Sequence, residues 1–419
     1  MHHARIPGTV ERVARFESFE PRLFLSLSTT TDDTGLDGCA QASAVEFDEW
    51  TLDDASAAST TPLADCFRGI DASRQTIAVI DSGIAYSHDA LGGGLGETYR
   101  VVGGYDFAER DADPYDDGLY GSHGTHVAGI IGSDDPRHPG IAPEADLVAL
   151  RVFDDQGMSD FTWVEQALQW VHDHRFDFEN PITTVNLSLG NYFNGDSPPS
   201  WASLEDELAQ LEADGIFIAV AAGNNFSRFQ EVGVSYPAAS PYVVPVGSVD
   251  ATGLLSSFSQ RDERIIAAPG RDITSTVPDY MGNYNGRDDD YATYTGTSMA
   301  APYVAGASAL LREAFAFAGT ADVDQNNLYS VMYATADSVY DSVTRQSYRR
   351  LNLDRAVENV LPGDDYGSTL AAAHRLGTIA DTFSLDGTIG RTDDVDHFQF
   401  TADFSGTMTV AWTSIRPGG

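Results

Sequence analysis

The stretch TIAVIDSGI (residues 76–84) runs through β-branched and small apolar side chains without alternation, then stops at an aspartate followed by Ser-Gly. A strand covered on both faces reads this way, whereas a half-exposed strand alternates polar and apolar residues. Four more runs of the same kind follow: ADLVALRVF (145–153), TTVNLSLG (183–190), GIFIAVAAGN (215–224) and YVVPVGSV (242–249). Helical stretches such as 162–174 separate them. The pattern predicts an α/β fold, a doubly wound, mostly parallel sheet with helices on both faces. Catalytic groups in such a sheet belong at the carboxyl ends of the strands, where Asp81 and Asn224 stand.

Composition narrows the setting. The 419 residues carry 63 acidic against 24 basic side chains, a net charge of −39, and every basic one is arginine. Such a surface repels nucleic acid and anionic membranes and stays dissolved where salt screens its self-repulsion. No apolar run approaches the roughly 18 residues of a membrane span. At 42% hydrophobic content the chain can build one large core with smaller appendages, and a monomer is expected. Cys39 and Cys66 both precede the chemical motifs, so neither is a candidate catalytic thiol. Whether they pair is left open.

Three regions are expected. Residues 1–66 are rich in Ser, Thr, Ala and Asp with little periodicity, and read as a leader and arm. Residues 67–362 carry the α/β pattern. From residue 363 the chain turns to short strand-like runs, TFSLDGTIG, DHFQFTA and TMTVAWT, expected to form part of an antiparallel β unit.

Four polar residues stand in chemically suggestive places. Asp81 ends the first strand, a position suited to a carboxylate that accepts from an imidazole. In GSHGTHVAGII (121–131), His123 opens a helix, while His126, one turn on, reads as a structural histidine on a packing face. Asn224 ends the strand of IAVAAGNN (218–225), where its amide can donate. In YTGTSMAAPYVAG (294–306), Ser298 starts a helix rich in alanine, with Pro302 expected in its first turn. Each feature alone is ordinary turn or cap chemistry. A nucleophilic serine, however, needs a base, a group orienting the base and donors for an oxyanion, and the four together supply these.

The signatures IDSGI, HGTHVAG and GTSMAAP, in this order, resemble those of the subtilisin-like serine proteases, the subtilases, and the similarity runs from about residue 70 to 362. The resemblance implies a serine endopeptidase of broad specificity in which Ser298 attacks the peptide carbonyl, His123 takes its proton, Asp81 holds the imidazole, and Asn224 with the Ser298 backbone amide binds the oxyanion. It implies protein or peptide substrates held as an added strand between Ser188, Leu189, Gly190 and the loop bearing Gly157 and Ser159. Ala222, Gly223 and Ser235 would complete the specificity pocket, with Ser235 narrowing its floor. The acidic loop at Asp154, Asp155 and Asp160 suggests a mild preference for basic or polar residues upstream of the cut. No cofactor is required for the chemistry. Asp111, Asp113, Asp116 and Asp117, crowded ahead of His123, are expected to bind a structural calcium ion, as similar inserts do in some subtilases. The segment FESFEPRLFLS (16–26) resembles the Leu-Glu-Pro-Arg type of export segment, implying secretion, and the region after residue 363 resembles the front of a pre-peptidase C-terminal domain. A catalytically silent scaffold would usually lack one of the four residues, and a ligase would need features that exclude water.

Overall fold

The structure, a computed structural model, describes residues 70–118, 121–363, 366, 370–379, 396–402 and 407–412, with two strands at 10–15 and 23–27. Nine strands form the main sheet: β1 (Thr76–Asp81), β2 (Val101–Asp106), β3 (Asp146–Arg151), β4 (Ile182–Leu187), β5 (Phe217–Ala221), β6 (Val244–Val249), β7 (Ile266–Pro269), β10 (Asp337–Asp341) and β11 (Gln346–Arg350). Their spatial order is β10-β11-β7-β6-β5-β4-β1-β3-β2, and only the β10 to β11 pairing is antiparallel. A separate hairpin-like pair joins β8 (Ile273–Val277) to β9 (Asp290–Tyr294).

Successive residues of β1 divide between two cores. Ile77 and Val79 join the cluster built with α1 (His123–Gly132), α4 (Thr297–Phe317), α5 (Gln325–Thr335) and α6 (Leu353–Val360). Ala78 and Ile80 join the opposite cluster, with α2 (Phe161–His174) and α3 (Glu205–Ala213). Burial of both faces is the physical reason that the strand sequence lacks alternation. The expected doubly wound sheet is thus observed.

The chain leaves β1 toward β3 and β2 on one side and returns to β4 on the other, so the connections reverse direction at β1. Asp81, its last residue, lies at this switch point, where the loops diverge and leave a crevice. Across the sheet lies α4, with 15 of its 21 residues buried. Its glycine permits close approach to the loop before β3: a Cβ on Gly306 would come within 2.9 Å of Ile141.

The end of the chain departs from expectation. His374–Ile379 pairs with Asp396–Ala402 in parallel, and the second strand also pairs antiparallel with Leu23–Leu27. Thr407–Trp412 pairs with Val10–Arg15. Among the described residues, these strands thus take partners from the N-terminal region, read from sequence as a leader and weakly structured arm. The run TFSLDGTIG, both cysteines and most of the export-like segment lie outside the described residues. Among those described, no helix is long and apolar enough to cross a membrane.

Candidate active site

Asp81 is buried at the end of β1, with 1% of its surface exposed. Its Oδ1 accepts from the Ser82 amide at 2.8 Å and from His123 Nδ1 at 2.7 Å. With the proton on Nδ1, the Nε2 lone pair of His123 is left to act as a base. The turn after Asp81 lies tight against the helix bearing His123. Gly83 has φ +105°, and a Cβ on Gly124 would stand 2.1 Å from the Gly83 carbonyl oxygen. Glycine is required at both places because the chain bends and the two backbones nearly touch.

Burial by itself would lower the pKa of His123. The Asp81 carboxylate, by charge and hydrogen bond, and the charge of Asp116 outweigh that, so the net shift is upward. His126 goes the other way: burial lowers its pKa to about 4. Its Nε2 meets the carbonyls of Ile273 and Ala292, and its ring stacks on Tyr294 at 4.4 Å. It ties α1 to β8 and β9, the structural role expected of it.

Ser298 is the second residue of α4, and Asn224 reaches across to the helix start. Asn224 Oδ1 accepts from the Thr297 amide at 2.8 Å and from the Thr297 hydroxyl at 3.0 Å. The amide oxygen is thereby occupied, and the NH2 group is the part of Asn224 free to donate to a ligand. Thr297, which sequence reasoning missed, holds this orientation.

Pro302 stands inside the helix rather than in its first turn. Lacking an N–H, it cannot bond to the carbonyl four residues back, that of Ser298. Ser188 supplies the missing donor, its hydroxyl reaching the Ser298 oxygen at 2.7 Å. The Ser188 side chain thus repairs the turn that carries Ser298.

These groups share a cleft of about 460 Å³, bordered by Asp81, His123, Asn224 and Ser298. Of the expected substrate residues, Gly157, Ser188, Leu189, Gly190, Gly223 and Ser235 also line it. The other two do not. Ala222 is fully buried and spends its backbone on Val246 and Ser235, while Ala221 lines the cleft in its place. The Ser159 hydroxyl is turned away, donating to the Val152 carbonyl at 2.6 Å. Ser235 does form a wall between two glycines: a Cβ on Gly190 would lie 2.8 Å from its Oγ, and one on Gly223 would lie 2.9 Å from its Cβ.

The four aspartates expected to gather calcium are dispersed. Asp111 Oδ1 accepts from the Asp113 amide, Asp113 Oδ1 from the Tyr86 hydroxyl, Asp116 Oδ2 from Thr125, and Asp117 Oδ1 from Arg151. Among the described residues no group of three or more His, Cys, Asp or Glu side chains is placed to hold a metal ion. A hard cation needs several oxygens converging on one point, and each of these carboxylates is engaged elsewhere. The crowding in sequence does not become crowding in space.

The cation within that acidic wall is Arg151, at the end of β3 and 2% exposed. Its guanidinium lies 3.2 Å from Asp106, 2.8 Å from Asp117 and 2.6 Å from Asp155, and also donates to the carbonyls of Tyr115 and Phe153. One side chain thus fastens two loops that flank the cleft. The signal for it was an arginine inside an otherwise apolar strand. Removing a partner from a buried ion cluster leaves uncompensated charge, here on the fully buried Asp106, so Arg151→Met should cost about 3 to 5 kcal/mol. Urea denaturation of native and variant protein measures this, and a loss under about 1 kcal/mol would contradict the clasp.

The sequence matches the subtilase family over residues 72–357. It is 35% identical over 247 residues to subtilisin E of Bacillus subtilis (strain 168), covering 58% of this chain and 57% of that protein. It is 34% identical over 291 residues to a thermophilic serine proteinase of Bacillus sp. (strain AK1), covering 68% and 62%. The chain therefore spans little more than half the length of such relatives. Among solved structures it resembles a cold adapted subtilisin-like serine proteinase at TM-score 0.53 and 28% identity, covering 68% of this chain and 91% of that one.

Proposed function

Because the chain belongs to the subtilase family, we propose that it is a serine endopeptidase that hydrolyses protein or peptide substrates through an acyl-enzyme on Ser298. The observation that carries this reading is the 2.7 Å bond from His123 Nδ1 to buried Asp81, set in the same cleft as Ser298 and Asn224. Nε2 of His123 removes the Ser298 proton as the hydroxyl oxygen attacks the carbonyl. The same proton then passes to the leaving amine. Asp81 keeps the imidazole in the productive tautomer and stabilises its charged form.

The carbonyl oxygen becomes an anion as the tetrahedral intermediate forms. The NH2 group of Asn224 and the Ser298 amide at the start of α4 stabilise it, helped by the positive end of that helix. Subtilases need no cofactor for this chemistry. Water then enters by the same base and releases the acyl group. The substrate backbone lies along Ser188 to Gly190 and the loop at Gly157, and one side chain enters the recess at Gly190, Gly223 and Ser235. Glycine and serine walls recognise little beyond the backbone, which supports broad specificity, with medium apolar side chains favoured over large aromatic ones by Ser235. The acidic surface and the export-like segment support an extracellular, monomeric enzyme.

Incubation with a peptide library, followed by product mass spectrometry and labelling with a serine-directed fluorophosphonate, tests the reading. Hydrolysis products and a label on Ser298 are expected; transfer to amines without hydrolysis, or no label on a folded sample, would refute it. Asn224→Ala should lower kcat by about 100- to 1,000-fold with little change in KM, because its donor is needed only as the oxyanion develops. That magnitude is the one a subtilisin shows on losing the equivalent donor. A kcat within about threefold of native would remove Asn224 from the oxyanion site.

A further inference from the structure

We propose that Asp116 is a positioning residue for this reaction: it caps, from a separate loop, the first turn of the helix that carries His123. The inference rests on His123 being the base. It goes beyond that reading in assigning what fixes the base in place.

The first amides of a helix have no partner within it, and a serine immediately before the helix normally accepts one of them. Ser122 occupies that position but makes no such bond; its hydroxyl lies 2.8 Å from the Tyr294 hydroxyl instead. Two residues from elsewhere substitute. Ser82 Oγ accepts from the Gly124 amide at 2.9 Å. Asp116 Oδ2 accepts from both the amide and the hydroxyl of Thr125, at 3.1 Å and 2.6 Å. The same Thr125 hydroxyl accepts from the Ala85 amide at 2.9 Å. A continuous relay therefore runs from the loop after Asp81, through Thr125, to Asp116.

Asp116 is itself held firmly. The Tyr280 hydroxyl lies 2.7 Å from its backbone carbonyl and 2.7 Å from that of Gly121, and its one proton is shared between them. A Cβ on Gly121 would stand 2.4 Å from Asp116 Oδ1. The carboxyl is fully buried and its Oδ1 has no hydrogen-bond partner. An apolar residue would fill this space at lower cost, since burying an incompletely paired carboxyl is unfavourable. What the carboxyl provides is two strong bonds to one residue, two positions from the imidazole, at the helix end that favours negative charge. Asp81 fixes the ring at Nδ1 alone. Where the ring sits relative to Ser298 depends on where the helix begins, and an ångström of displacement there is costly.

Asp116→Ala should lower kcat on the order of 10- to 100-fold with KM within about twofold, measured on a peptide substrate and normalised to correctly folded enzyme. Fluorophosphonate labelling of Ser298 should slow in parallel. Asp116→Asn, whose side-chain oxygen can accept both Thr125 donors, should recover most of kcat. If Asp116→Ala does not fold, Thr125→Ala removes the hydroxyl half of the clasp alone and should lower kcat with KM unchanged. The assignment is overturned if the alanine variant keeps kcat within twofold per folded molecule, if asparagine rescues nothing, or if Thr125→Ala, used in its place, leaves kcat unaltered. Absence of Ser298-dependent turnover in the parent protein would instead overturn the protease reading, and the two failures are distinct.

Discussion

Replacing Ser298 by alanine is expected to lower kcat by about a million-fold, the magnitude found on removing the catalytic serine of a subtilisin. The loss is large because nothing else in the cleft replaces the attacking oxygen. Oxyanion stabilisation and substrate binding would remain, so turnover should stay measurable above that of the free peptide in water. The fold should be indifferent. Through residue 298 it is the backbone carbonyl that accepts from Ser188, and alanine retains that carbonyl. Peptide hydrolysis, fluorophosphonate labelling and thermal melting on the same preparations test all three parts. A Ser298→Ala sample that is folded, unlabelled and inactive supports the nucleophile. Turnover above about a thousandth of native would exclude it.

Asp81→Asn should lower kcat by about 10,000-fold while leaving the cleft intact. The carboxylate can only accept, so it selects the tautomer with the proton on Nδ1. An asparagine can turn its NH2 group to that nitrogen and so place the proton on Nε2, where it blocks uptake of the Ser298 proton. The variant should also change the pH profile. Burial opposes protonation of His123, but Asp81 and then Asp116 outweigh it, and the imidazole titrates above its ordinary value. The native enzyme therefore loses its base as pH falls through that raised value. Without the Asp81 charge, the acid limb of kcat/KM should move to lower pH. The linked stability has a matching sign: with the folded-state pKa raised, the contribution of His123 is fully present below the unfolded pKa. It is lost as pH rises through the folded value. An acid limb that stays in place in Asp81→Asn would show that Asp81 does not govern this imidazole.

The calcium expectation shows where reading residues in a row breaks down. Asp111, Asp113, Asp116 and Asp117 are neighbours along the chain, but the loop turns between them, and each finds a different partner. Arg151 shows the converse. Its three carboxylates are spread along the chain, and no spacing in sequence announces that they meet.

By itself, the sequence determined the alternation of buried strands and helices, and hence the sheet, because burial of both strand faces demands continuous apolar runs. It also singled out Asp81, His123, Asn224 and Ser298 as candidates, since each sits in a turn or helix start made by its immediate neighbours. Only the tertiary structure decided what holds these four in place. Ser188 completes the turn at Ser298 from 110 residues away, Thr297 orients Asn224 across 73, and Asp116 reaches the helix of His123 across a loop. Local motifs are legible because the chain is bonded to its own neighbours. Hydrogen-bond partners brought together by packing are not, because many side chains along the chain could accept or donate, and the folded backbone selects which of them arrive.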